Sequence, residues 1–387
     1  MTTILSPKMR TLFHQGWLGI CRKCLRLELS EELNPAFSAV CRPACSRRLL
    51  QTSTSRCKII SDPENKGQNQ RGINFDTLGS WNNRMTLPIL IEESIKKGKL
   101  IPKIPLEEVG TASLIGRRNY NEDRMTIKEL SDSILYVGIF DGHSTSFAAD
   151  YVAENLELHI KYWLSRTADL NTVLHKSFVD IHNVLARHLT HYFINSEIFS
   201  TGTTATVCLI RNSSEMVVAN VGDSRAVLCR KGKAMRLSHD DDPDDPEEYA
   251  RITALGGKIV QNSMGTSQVN GRLGMTRSLG DTELKAYGVV AEPHLKSLEI
   301  KHGYDAFLML ATDGLCYVLS DDEMVNIISS CQTPKEAAGL VADQALHFGS
   351  EDNSSVIIVP FGAWGKYISA ASSLQYRFGR NMFSKRD

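Results

Sequence analysis

The chain lacks any run of about 18 apolar residues, the length a membrane-spanning helix needs, so no transmembrane segment is expected. It also lacks an excess charge of either sign: 44 Lys and Arg balance 44 Asp and Glu over 387 residues. A nucleic-acid binder usually carries a basic surplus, so that class is disfavoured. A hydrophobic fraction of 42% with 23% charged residues excludes disorder of the whole chain. Cysteine is scarce where a fold would be: of nine, only Cys208, Cys229, Cys316 and Cys331 lie beyond residue 61. An odd total argues against a secreted disulfide scaffold, and Cys208 and Cys229 sit in apolar runs where a thiol is a small hydrophobe.

What is present is an asymmetry hidden by the neutral total. Residues 1–61 hold ten basic and three acidic residues, a charge of +7, which leaves −7 on the rest. This leader is rich in Arg, Ser and Leu and has no compact apolar segment before a small-residue cleavage site. It reads as a mitochondrial transit-like segment without a fold of its own. Two other readings stay open. One is a disordered cytosolic arm; the other is a zinc site built on Cys21-x2-Cys24 and Cys41-x3-Cys45. Residues 62–106 read as a linker and N-terminal extension, and 362–387 as a C-terminal tail.

Between them the chain alternates strand-like and helix-like stretches. Ser133–Phe140 is an apolar, β-branched run that stops at Asp141-Gly142, a buried strand ending in a turn. Phe147 to Arg166 and Leu170 to Leu189 place apolar residues at helical spacing, which predicts an antiparallel helix pair laid on a sheet. Thr203–Ile210, Glu215–Asn220 and Ala226–Arg230 read as an antiparallel meander. A strand at Ala306–Ala311, helices over 321–331 and 334–347, and a strand at Ser355–Pro360 follow. The expected class is α+β: a central antiparallel β-sandwich flanked by pairs of antiparallel helices.

Acidic residues recur at the ends of these apolar strands: Asp141, Asp223, Asp313 and Asp352, with Glu122-Asp123 in a loop before the first. One Asp-Gly is usually a turn. Several carboxylates converging on one rim make a hard, oxygen-rich site suited to Mg2+ or Mn2+ and not to zinc.

The segments GRRNYNED (116–123), FDGH (140–143), TGTTATV (201–207), NVGDSRAVL (220–228), RLGMTRSLGD (272–281), ATDGL (311–315) and EDNSSVIIV (351–359) together resemble the ordered motifs of the metal-dependent type 2C serine/threonine protein phosphatases. The resemblance covers about 107–361 and implies that family's four-layer αββα fold. It implies two Mn2+ or Mg2+ ions per subunit, with Asp141 bridging both and the Gly142 carbonyl as a further ligand. Asp313 and Asp352 would complete one ion, and Asp123 with Glu122 would serve the other. A hydroxide bridging the two ions would attack phosphorus directly. Arg118 occupies the phosphate-binding position, and its planar fork suits two phosphate oxygens. His143 matches the general acid that protonates the leaving alkoxide. Asp223 resembles a ligand of a third metal. Its partner would fall four residues after Asp313, where Tyr317 stands, which counts against a third ion. Asp281 is expected to tie its loop to the metal shell.

Within the family, the stretches at 80–110 and 359–367 are most similar to the mitochondrial branch that acts on the branched-chain α-ketoacid dehydrogenase. That implies a matrix location, a phosphoprotein substrate in the E1/E2 complex, and a monomer with no nucleic-acid or membrane partner. The sequence departs from the family pattern in two places. Ser144 and Thr145 follow His143 where two glycines are usual, and Asp240-Asp241-Asp242-Pro243 stands where Asp-His-x-Pro is usual. The acid run through Glu248 reads either as a solvated loop or as a flap that selects basic surroundings. Two rival readings of the whole are a pseudophosphatase acting as a binding module and a different two-metal hydrolase such as a nuclease.

Overall fold

The structure is a computed structural model that describes residues 103–193 and 197–368. The readings of the leader at 1–61 lie outside the described residues, as do most of the 62–106 extension and most of the 362–387 tail. In chain order the strands are β1 (Gly110–Leu114), β2 (Arg124–Ser131), β3 (Ile134–Phe140), β4 (Gly142–His143), β5 (Gly202–Thr203), β6 (Ala205–Arg211), β7 (Glu215–Val221), β8 (Arg225–Arg230), β9 (Lys233–Arg236), β10 (Ile259–Gln261), β11 (Ser267–Val269), β12 (Leu279–Gly280), β13 (His294–Glu299), β14 (Asp305–Ala311) and β15 (Ser354–Pro360). The helices are α1 (Phe147–Leu164), α2 (Leu170–Tyr192), α3 (Pro246–Ala254), α4 (Thr282–Lys285), α5 (Asp313–Cys316), α6 (Asp321–Ser330) and α7 (Pro334–His347).

Two five-stranded antiparallel sheets face each other. One has the order β13-β7-β6-β3-β2 and the other β1-β15-β14-β8-β9. Successive side chains of a strand point to opposite faces, so each central strand serves two cores. Leu135, Val137, Ile139, Cys208, Ile210 and Val218 meet Leu228, Leu308, Leu310, Ile357 and Val359 between the sheets. The alternate residues of the second sheet, Val227, Phe307, Met309 and Ile358, pack under α6 and α7 against Met324, Ile328, Ala338 and Val341. Helices α1 and α2 cover the outer face of the first sheet. The result is the α+β, four-layer arrangement that the sequence pattern and the resemblance predict.

Local chemistry sets the helix ends. Asp169 accepts from the backbone N–H groups of Asn171 and Thr172 at the start of α2. Ser320 and Glu323 form a reciprocal capping box at α6, and Thr333 with Pro334 opens α7. Trp163 Nε1 donates to Asp180 Oδ2 at 2.7 Å and locks α1 to α2.

Two expectations need correction. β6, β7 and β8 are not a meander: β7 pairs with β6 and β13, while β8 pairs with β14 and β9 in the other sheet. The chain crosses the sandwich at Val221–Ser224. Gly222 adopts a φ of +97°, and a Cβ there would lie 2.7 Å from Thr204 Cγ2, so only glycine allows this turn. The Thr203–Ile210 strand is also interrupted at Thr204, whose backbone and hydroxyl are bonded to Asp141.

The acid run at 240–248 is not simply a solvated loop. Asp241 and Glu248 are buried, Asp240 pairs with Arg225 and Arg236, and Asp245 caps α3. Glu248 accepts from Arg251, Arg277 and the Thr276 hydroxyl and so ties α3 to the segment before β12. Burial alone would raise the Glu248 carboxyl, but these hydrogen bonds and the Arg277 charge hold its pKa down at about 2. A carboxyl with a depressed folded pKa stabilises the fold above its unfolded value near 4.3 and loses that contribution as pH falls toward 2. Glu248→Gln is therefore expected to lower stability by on the order of 2–3 kcal/mol at neutral pH and to flatten the acid limb below about pH 4.5. Urea unfolding at a series of pH values checks this; parallel acid limbs in the two proteins would contradict it.

Candidate metal centre

The predicted acidic residues gather at one end of the sandwich, delivered by strand ends of both sheets. Asp141 follows β3. Its backbone carbonyl accepts from Thr204 N–H at 2.8 Å and from Thr203 Oγ1 at 2.9 Å, and its N–H donates to Thr204 Oγ1 at 3.0 Å. Three bonds from one threonine pair fix the carboxylate's origin. Gly142 comes next, and a Cβ there would lie 2.8 Å from Glu122 O, so the Glu122-Asp123 loop rests directly on it. Asp223 sits in the crossing turn after β7. Asp313 opens α5 after β14, and Asp352 precedes β15.

The second layer of contacts came without a strong sequence signal. Thr312 Oγ1 donates to Asp123 Oδ2 at 3.1 Å. Asn353 Oδ1 accepts from Glu122 N–H at 2.8 Å, and Asn353 Nδ2 donates to the carbonyls of Ile115 and Tyr120. One asparagine, in the loop before β15, thus holds the β1–β2 loop that carries both Arg118 and Glu122 at three points along its length. Both Thr204 and Asn353 fall inside motifs visible in the sequence, yet their partners lie 63 and more than 230 residues away. Spacing could not reveal them.

Electrostatics records how close the carboxylates are. Burial pushes Asp141 well above the usual carboxylate range, and the charges of Asp313, Asp123 and Asp223 push it further. Burial raises Asp123 to about 7, against hydrogen bonds from Ser355 and Thr312. Asp223 rises to about 8 through burial and the Asp313 charge, and Asp313 is raised by burial and by Asp352. Buried oxygens Asp123 Oδ1 and Asp223 Oδ1 have no hydrogen-bond partner. Buried carboxylates that repel each other and leave oxygens unpaired fit hard divalent cations such as Mn2+ or Mg2+. The donor set is all oxygen, which disfavours zinc.

Two predicted side chains flank the cluster. Arg118 is largely exposed, and its Nη2 donates to Asp352 Oδ2 at 2.6 Å. His143 Nε2 lies 2.9 Å from both oxygens of Asp281. Burial pulls the imidazole pKa down, but the Asp281 charge and hydrogen bond outweigh it, and the net shift is upward. Asp281 thus anchors its loop through histidine. Gly202 lies against this pair: a Cβ there would sit 2.0 Å from Asp281 Oδ2 and 2.5 Å from His143 Nε2.

Comparison with known proteins agrees with the geometry. The protein phosphatase 2C family profile matches residues 109–354. The chain belongs to the protein phosphatase 2C family. It is a metal-dependent serine/threonine protein phosphatase. It is similar to a Xenopus laevis protein named protein phosphatase 1K, mitochondrial, at 45% identity over 80% of this chain and 83% of that one. A fission yeast protein phosphatase 2C homolog is 33% identical over 71% of this chain and 81% of its own. Among solved structures, a Toxoplasma gondii serine-threonine phosphatase 2C shares the fold with a TM-score of 0.58, covering 65% of this chain and 94% of that one.

Two outcomes follow from the packing of this phosphatase. Gly202→Ala drives a methyl group into the His143–Asp281 pair. It is expected to cost more than about 2 kcal/mol of stability and most of kcat; wild-type turnover in the variant would contradict the close approach. Asp141→Asn removes one of the repelling charges. The metal-free variant is expected to melt about 2–8 °C above metal-free wild type while losing phosphatase activity, on an estimate of about 1–3 kcal/mol. Scanning calorimetry in chelator decides this, and a lower melting temperature would count against the repulsion.

Proposed function

We propose that this carboxylate cluster holds two Mn2+ or Mg2+ ions and that the phosphatase hydrolyses phosphoserine and phosphothreonine on a protein substrate. The convergence of Asp123, Asp141, Asp313 and Asp352 from both sheets carries the reading. Asp141, with the Gly142 carbonyl, would be shared between the ions; Asp313 and Asp352 would complete one, and Asp123 with Glu122 the other. Asp223 stands beside them, and the exposed Tyr317 supplies no carboxylate to a third ion. Bound divalent cations would supply a water activated at neutral pH for direct attack on phosphorus and would offset charge on the phosphoryl group. The chain's own groups do the rest. Arg118, on the rim, turns its planar guanidinium toward the substrate phosphate and orients it. His143, kept protonated by Asp281, gives its proton to the departing serine or threonine oxygen.

The substrate and compartment are further parts of the proposal. The basic leader, the acidic body and the relative named as mitochondrial support a place in the mitochondrial matrix. The resemblance at 80–110 and 359–367 supports the phosphorylated branched-chain α-ketoacid dehydrogenase as substrate.

The full chain with Mn2+ is expected to release phosphate from a phosphothreonine peptide, and Asp141→Ala is expected to fall to background. Equal turnover in the two would defeat the assignment. Arg118→Ala should raise KM at least tenfold with its melting temperature unchanged, since the side chain is on the surface. On the purified phosphorylated dehydrogenase complex, the enzyme should remove phosphate from E1; failure to bind the E2 core or to act on E1 would reject that substrate alone.

A further inference from the structure

A second group of ligating side chains lies away from the oxygen cluster, at the base of the acid run. His239, Asp241 and His294 each place one ligating atom within 4.8 Å of the other two. His239 precedes the run, Asp241 is inside it, and His294 is the first residue of β13. The Asp241 backbone is pinned: its N–H donates to Gly222 O, and its carbonyl accepts from Thr276 N–H. Its Oδ2 accepts from Gly222 N–H at 2.7 Å.

The other oxygen, Asp241 Oδ1, is left over. It belongs to a side chain with no solvent exposure and has no hydrogen-bond partner. His294 Nε2 lies 3.0 Å away and Arg277 Nε 3.3 Å away, both within ion-pair distance of it. His294 Nε2 is itself buried. A buried carboxylate oxygen and an imidazole nitrogen at this separation can bond each other or share a cation between them. The His239 ring lies 5.1 Å from the His294 ring, centroid to centroid, and is half exposed, so it can swing without disturbing the core. The Arg277 charge, which would oppose a cation, is already matched by Glu248 at 2.6 Å and by the Glu292 carbonyl. Asp245 Oδ2, 3.6 Å from His239 Nε2, adds negative charge on the open side.

We propose that His239, Asp241 and His294 form a binding site for a borderline divalent cation of the Zn2+ class. Two imidazoles and one carboxylate are the donors such a cation prefers, and they leave a fourth position for water. This separates it in kind from the oxygen cluster, which suits hard cations. Tetrahedral zinc needs its donors about 3.3 Å apart, so closure is a small movement of the half-exposed His239 toward the fixed Asp241. Asp241 stands where the family motif has histidine, so the site arises from this chain's departure from that motif. A bound cation would fasten the base of the acid run to β13, next to the turn that carries Asp223.

The test uses the full chain carrying Cys21→Ser, Cys24→Ser, Cys41→Ser and Cys45→Ser, which removes the thiol pairs of the leader, in an Asp141→Asn background that weakens cation uptake by the oxygen cluster. Zn2+ affinity is measured by competition with a chromogenic chelator, and Co2+ serves as a spectroscopic probe. One Zn2+ per chain is expected, with binding at least tenfold weaker in each of His294→Leu and His239→Gln. Co2+ should give the intense visible bands of a low-coordinate nitrogen-containing site, and these should vanish in both variants. Far-UV circular dichroism and the zinc-free melting temperature verify that the variants fold. Unchanged Zn2+ affinity in both folded variants, or only the weak bands of octahedral Co2+, would overturn the proposal.

Discussion

The structure is organised around the mutual repulsion of carboxylates held close together out of bulk water. Asp123, Asp141, Asp223 and Asp313 would each be more comfortable apart, and their raised pKa values express this. Hydrogen bonds from Thr203, Thr204 and Thr312 position Asp141 and Asp123 without removing that repulsion. The stability that holds them comes from the sandwich, whose interior and two helix-covered faces bury aliphatic side chains from nearly every strand. A carboxylate cluster that weakens the fold is fastened to the ends of central strands, where the buried core begins.

That fastening explains features which otherwise look like irregularities. The strand that begins at Thr203 is broken so that Thr204 can bond Asp141 on both backbone sides. The chain leaves one sheet for the other at Gly222, which puts Asp223 between strands of different layers. Asn353, just before β15, bonds the β1–β2 loop at Ile115, Tyr120 and Glu122. Each device spends hydrogen bonds on position, and each lies within contact of the carboxylates.

Much of this was legible in the sequence, and the reason is locality. Helices α1, α2, α6 and α7 and the central strands follow from apolar spacing and capping residues within one window. The strand-terminal aspartates stood out because an apolar run stopping at an acidic residue recurs. The expected meander fails between β7 and β8 because partner choice depends on residues about 80 away, in β14, and not on the turn itself. The threonines and Asn353 were missed for the same reason. The need for glycine at 202 is likewise non-local, because His143 and Asp281, brought in from distant segments, occupy the space of a side chain.

The departures from the family motif differ in what they touch. Ser144 stands where glycine is usual and takes a φ of +68°, the left-handed region. For a short polar residue that costs about 1–2 kcal/mol, which the surrounding fold can carry. Its neighbour Thr145 is engaged with Thr201, not with a carboxylate. The acid run is altered more in meaning than in structure. Asp241 and Glu248 are buried among Arg277, Arg251 and His294, and Asp240 is matched by two arginines. Their charges are largely cancelled before they reach solvent. Asp242, Asp244 and Glu247 remain exposed, so the field a substrate meets comes from fewer than half of the seven acids in the run. A repulsive screen against acidic phosphoproteins would need more than that. The run is better understood as a framework that fixes its own segment to α3, β13 and the turn that carries Asp223.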